Sequence, residues 1–134
     1  MKTLNVGIIG FGKMGKIRLK AIEKSGRAKV ISVFDPVQIN ENEVPFTVEK
    51  SVEHVLEAPI DAVFICTPNF LIKDLTNLAL SKGIHVFSEK PPGINLAEAK
   101  SMQQKEFDVK DKILMYGFNH RHHESVQKMK EIIQ

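Results

Sequence analysis

The chain has 134 residues, one domain's length, with 43% hydrophobic and 26% charged residues, which argues against disorder. No apolar run approaches the roughly 18 residues of a membrane-spanning helix, and the 19 basic and 16 acidic residues are interleaved without an aromatic-basic stripe, which disfavours a nucleic-acid surface despite the net charge of +3. The single cysteine, Cys66, rules out an intramolecular disulfide and fits a reducing, cytoplasmic setting.

Met1 to Gly10 reads as a strand and not as a signal peptide, because Gly7 and Gly10 break its apolar run. Val6–Ile9 is the first predicted strand. A helix follows Gly12, with Met14, Ile17 and Ala21 on one face and Gly26 as its stop. Val30–Phe34 is the second strand, ended by Asp35-Pro36. Val37 to Pro45 is loop, Phe46–Val48 a short third strand, and Ser51–Leu56 a short helix stopped by Pro59. Asp61–Thr67 is the fourth strand, broken by Pro68. Asn69 is expected to cap the next helix, with Leu71, Leu75, Leu78 and Ala79 on its apolar face and Gly83 at its end. Ile84–Phe87 is the fifth strand, Pro91-Pro92-Gly93 a turn, and Asn95 with Glu98 a capping box for a helix to about Lys105. Ile113–Tyr116 is the sixth strand, and a final helix from about Glu124 carries Val126, Met129 and Ile133 on one side. Strands alternating with helices imply an α/β fold: a three-layer, doubly wound, mostly parallel sheet of about six strands, ending in an amphipathic helix.

Gly10-Phe11-Gly12-Lys13-Met14-Gly15 matches G-x-G-x-x-G between a predicted strand and a predicted helix. Gly10 permits the tight turn, Gly12 removes a side chain where a pyrophosphate must approach, and Gly15 lets helix and strand pack closely. The helix N-terminus then presents free N–H groups to the phosphates. Asp35 lies 20 residues after Gly15, the spacing of a carboxylate that bonds the adenosine ribose. It would repel a 2′-phosphate, so NAD is favoured over NADP. The plain alternative is a glycine turn followed by an ordinary strand-ending aspartate. S-adenosylmethionine enzymes share the glycine turn and the acidic residue but tend to lack the segments that follow.

Those segments are Cys66-Thr67-Pro68-Asn69, Gly83-Ile84-His85-Val86-Phe87-Ser88-Glu89-Lys90-Pro91 and Gly117-Phe118-Asn119-His120-Arg121. In order and spacing they resemble the glucose-fructose oxidoreductase / inositol dehydrogenase / MocA family of NAD(P)-dependent oxidoreductases, over essentially the whole chain. The resemblance implies a Rossmann fold and a cofactor site made of Gly10, Phe11, Gly12, Lys13, Met14, Gly15, Asp35, Thr67, Pro68, Asn69, Glu89, Lys90 and Asn119. It further implies that Thr67, Pro68 and Asn69 pass the pyrophosphate and ribose. Glu89 and Lys90 would sit near the nicotinamide ribose, and Asn119 near the nicotinamide end. Lys90 would be the catalytic residue, reaching the substrate oxygen, and Pro91 would follow a cis peptide. Chemically, a lysine beside a carbinol losing hydride can stabilise the developing charge and relay the proton. In relatives a histidine often stands three residues after the asparagine of the Thr-Pro-Asn loop; this chain has Ile72.

The remaining polar residues read more plainly. His120, His122 and His123 are taken as polar loop residues and no metal is expected, because nothing in their spacing makes three ligands converge. His85 reads as a hydrogen-bonded strand residue, and Cys66 as a small buried side chain without a histidine partner. The resemblance implies that residues 1–120 form the dinucleotide-binding domain and that 121–134 begin the helix leading into a substrate domain. That absent domain would supply the other half of the site, so this chain would bind NAD, take a sugar or polyol only when completed, and be inactive alone. The alternative is a free-standing NAD-binding module that senses cofactor or pairs with a separate chain. The exposed stripe of the last helix would invite self-association.

Overall fold

The computed structural model describes residues 2–133; Met1 and Gln134, the outer ends of the two expected segments, lie outside the described residues. Six strands form one sheet: β1 (Leu4–Ile9), β2 (Ala28–Phe34), β3 (Thr47–Val48), β4 (Ala62–Ile65), β5 (His85–Ser88) and β6 (Leu114–Tyr116). Their order is β3-β2-β1-β4-β5-β6, and every neighbouring pair is parallel. The helices are α1 (Lys13–Ser25), α2 (Val52–Glu57), α3 (Asn69–Ser81), α4 (Leu96–Val109) and α5 (Glu124–Ile133). A 3-10 turn at Glu41–Glu43 interrupts the expected loop between β2 and β3, and another spans Asn119–His122.

Side chains alternate across the sheet, and two cores result. On one face Ile9, Val63, Ile65 and Val86 pack with Val55 of α2, Ile72 and Leu80 of α3, and Met102 of α4. On the other, Val6, Ile8, Val30 and Val33 pack with Ile22 of α1, Phe11 and Phe46. The second face of β4, β5 and β6 is open. Phe64 and Phe87 stack there with centroids 4.6 Å apart, Ile113 and Met115 are exposed, and a shallow depression of about 460 Å³ forms.

Three expectations are corrected. The packed face of α1 is Gly15, Leu19 and Ile22, while Ile17 and Ala21 are exposed and Met14 is half-buried. The cause is Gly15: a Cβ there would stand 2.2 Å from the Gly10 carbonyl oxygen, so this is where helix and turn touch. In α3 the buried residues are Ile72, Thr76, Ala79 and Leu80, with Leu71 and Leu78 exposed. Asn69 is the first residue of α3 and not its cap; Pro68 precedes it as N-cap. The Asn95 cap holds, accepting from the Glu98 N–H at 2.9 Å, while the Glu98 carboxylate accepts from Ile94 N–H at 3.0 Å. Every described residue of α5 is exposed.

Candidate functional site

Backbone hydrogen bonding continues one residue past four strands. Gly10 N–H donates to Phe34 O at 2.8 Å, Cys66 N–H to Ile9 O at 2.8 Å, Glu89 N–H to Ile65 O at 3.0 Å and Gly117 N–H to Ser88 O at 2.9 Å. The loops after β1, β2, β4, β5 and β6 therefore leave the sheet from one edge, the carboxyl edge where open parallel sheets take ligands. The strand order reverses between β1 and β4. The helices that follow these two strands, α1 and α3, are both left bare. Among the described residues neither receives a side-chain cap, whereas Ser51 caps α2 and Asn95 caps α4. The first turn of α1 carries Lys13 and Lys16 and no acid. That is the wrong sign for a helix dipole, and it becomes favourable once an anion sits at the N-terminus.

The three fingerprint glycines do different work. Gly10 has φ +90°, and a Cβ there would come 2.6 Å from Cys66 O. Gly15 is the helix–turn contact already described. Gly12 has φ −74°, open to any residue, and no described atom lies within 4 Å of its would-be Cβ. The fold itself does not demand glycine at position 12, and the space in front of it is open.

Phe11 is buried, its ring edge-on to Phe46 at 5.4 Å. Its N–H donates to Asp35 Oδ2 at 2.6 Å, and Val37 N–H donates to Asp35 Oδ1 at 2.7 Å. Asp35 is thus held by two amides, and each oxygen keeps lone-pair capacity for a further donor. A cleft of about 490 Å³ opens beside it, with Phe11, Gly12, Lys16, Val37 and Ile39 among its walls. Thr67 is half-buried, and Pro68 and Asn69 are exposed at the mouth of α3.

At the other end of the same edge, Lys90 is exposed and its bond to Pro91 is cis. Lys90, Gly117, Phe118, Asn119, His120 and Arg121 line a hollow of about 180 Å³. Glu89 is buried, with its carboxylate on Arg18 of α1. Sequence reading missed two residues, Lys16 in the cleft beside Asp35 and Arg18 on Glu89. The available signal for Lys16 was a second cation in a helix's first turn; for Arg18 there was no local signal, because its partner Glu89 lies 71 residues away.

Cys66 lies between these ends. Burial first, then the Glu89 carboxylate, push its thiol up to about 12, against the opposing pull of Arg18. It is a protonated, unreactive thiol at neutral pH. His85 begins β5 at the far edge of the sheet and accepts from Ile113 N–H through Nδ1 at 3.1 Å. His120 and His123 have ring centroids 4.9 Å apart. Among the described residues no three His, Cys, Asp or Glu side chains gather as metal ligands, and no helix is long and apolar enough to cross a membrane.

Residues 4–118 match the family described as "Oxidoreductase family, NAD-binding Rossmann fold", GFO_IDH_MocA. A myo-inositol 2-dehydrogenase of Thermotoga maritima is 30% identical over 139 residues, covering 98% of this chain and 41% of the relative. A glucose-6-phosphate 3-dehydrogenase of Bacillus subtilis is 35% identical over 132 residues, covering 96% and 37% respectively. The crystal structure of scyllo-inositol dehydrogenase from Lactobacillus casei with bound NAD(H) and scyllo-inositol superposes with a TM-score of 0.91 at 29% identity, covering 98% of this chain and 41% of that one. The chain spans about two fifths of the length of the curated relatives it matches.

Proposed function

This chain belongs to the GFO_IDH_MocA family of oxidoreductases with an NAD-binding Rossmann fold, and from that membership we propose that it is the cofactor half of an enzyme moving a hydride between a nicotinamide nucleotide and a sugar, polyol or related hydroxy compound. The observation that carries this reading is the pairing, on one sheet edge, of the bare α1 N-terminus behind Gly12 with the Lys90 hollow. Residues 1–120 form the nucleotide domain, and 121–134 begin the connection to a substrate domain supplied by other residues. Without that second half-site, orientation and proton relay fail together and the chain alone turns over little or nothing.

When bound, the nicotinamide nucleotide supplies the hydride chemistry. Gly12 gives the pyrophosphate room, and the α1 N–H groups with Lys13 and Lys16 neutralise its charge. Thr67, Pro68 and Asn69 flank it at the mouth of α3. Asp35 offers its remaining lone pairs to the adenosine ribose hydroxyls and repels a 2′-phosphate, which favours NAD over NADP. As a neutral amine, Lys90 would accept the hydroxyl proton when the substrate is oxidised; as an ammonium, it would donate to the carbonyl oxygen and return that proton in the reverse direction. Asn119 borders the nicotinamide end.

Titration with NADH, followed by nicotinamide fluorescence and repeated with NADPH, tests the reading. Saturable binding that is tighter for NADH is expected; no saturable binding of either nucleotide refutes it. Robust NAD reduction with inositols or sugars by this chain alone would refute the incomplete half-site. The exposed α5 stripe supports self-association, and a strictly monomeric elution over a concentration series would count against that part.

A further inference from the structure

Arg18 stands on the packed face of α1, where apolar side chains are the rule. Its Nε donates to Glu89 Oε1 at 2.5 Å, across 71 residues of sequence, and the two side chains are only 11% and 10% exposed. The guanidinium carbon lies 4.8 Å from the centroid of the Phe87 ring. Nη2 approaches Asn119 Oδ1 at 3.5 Å, the outer limit of a hydrogen bond. Gly117 leaves just enough room for this arrangement, since a Cβ there would come within 2.8 Å of Glu89 Oε2 and 3.0 Å of Arg18 Nη2. One side chain of α1 thus touches Phe87 of β5, Glu89 just after β5 and Asn119 at the start of the 3-10 turn after β6.

A buried ion pair contributes little net stability, because desolvation offsets the attraction; in some proteins its contribution is instead to fix one arrangement. Glu89 is joined by a peptide bond to Lys90, and Asn119 shares the hollow with Lys90. Arg18 itself is not among the residues lining that hollow. Resting on the nicotinamide-nucleotide reading above, we propose that Arg18 is a positioning residue. From behind, through Glu89 and Asn119, it sets the β5 and β6 loops so that Lys90 and Asn119 face the nicotinamide end together.

The test uses the full chain and two probes: NADH, and ADP, which carries only the adenosine and diphosphate part. Arg18→Met is expected to weaken NADH by about tenfold or more while ADP stays within roughly twofold. Arg18→Lys keeps the charge without the planar fork and recovers part of the NADH affinity. The double variant Arg18→Met/Glu89→Gln no longer leaves a lone buried carboxylate, so it regains thermal stability, yet it keeps the NADH defect. Equal losses of ADP and NADH in Arg18→Met, or NADH affinity that returns with stability in the double variant, would reduce Arg18 to a structural role and overturn the proposal. Failure of the unaltered chain to bind NADH is a different result, which overturns the nucleotide reading and this inference with it.

Discussion

Alanine at Gly12 and alanine at Gly15 should have opposite effects, although the two glycines belong to one motif. At Gly15 the new Cβ would stand 2.2 Å from Gly10 O and 3.1 Å from Gly10 C. Both are backbone atoms that no rotamer change can move aside, so α1 must shift away from the turn. Overpacking of this kind costs about 1–3 kcal/mol, occasionally more, set against a gain of about 1 kcal/mol in helix propensity. A net loss of about 1 kcal/mol, and about 2 at the upper end, lowers the melting temperature of a chain this size by roughly 3–7 °C. At Gly12 nothing described lies within 4 Å and φ is −74°. Alanine is a poorer N-cap by about 0.5–1 kcal/mol, and the restricted unfolded chain returns about the same amount. Stability therefore stays within about 0.5 kcal/mol of the parent. The methyl group, however, enters the space in front of the bare N–H groups, and NADH affinity should fall by about tenfold, or 1.4 kcal/mol. Urea melts and NADH titrations of both variants, run side by side, provide the check. A Gly12→Ala chain that binds NADH as tightly as its parent would remove the pyrophosphate from this site. A Gly15→Ala chain that melts like its parent would show that the helix–turn contact is not where the structure puts it.

Asp35→Ala removes the acceptor for two amides, Phe11 N–H and Val37 N–H. It should cost about 1–2 kcal/mol in stability and narrow the preference for NADH over NADPH, and an unchanged ratio in parallel titrations would refute its role at the ribose. Cys66 gives an alkaline signature. Its thiol is raised from 9.0 to about 12, so between those values the native chain keeps a proton that the unfolded chain has lost. That stabilisation is complete below about pH 9 and is lost as pH rises toward 12. Tyr116, raised from 10.0 to about 12 chiefly by burial, acts in the same direction. Denaturant melts at increasing alkaline pH should show stability falling, and less steeply in Cys66→Ala; an identical slope would refute the assignment.

The strands were legible because β-branched runs between glycine and proline leave few alternatives, and all six appear within two residues of their expected limits. The glycine turn was legible because its spacing and its context agreed. Helix rotation was harder to read. Met14, Ile17 and Ala21 form as good an apolar stripe as Gly15, Leu19 and Ile22, and only the close approach of Gly15 to Gly10 decides between them. Likewise Thr76 is fully buried and Leu71 exposed, because contact with β4, β5 and α4 sets the face of α3. Asn69 has the chemistry of a cap, but the helix begins on it, one residue earlier than a cap at Asn69 requires. Arg18 illustrates the general limit: its partner is 71 residues away, and no local period or motif connects them.

The sheet's two edges are its shortest strands, Thr47–Val48 and Leu114–Tyr116. An edge strand offers unpaired N–H and C=O groups to any other chain in an extended conformation, and its length sets how many such bonds a stranger can make. With two residues on one rim and three on the other, this sheet offers little template for edge-to-edge pairing.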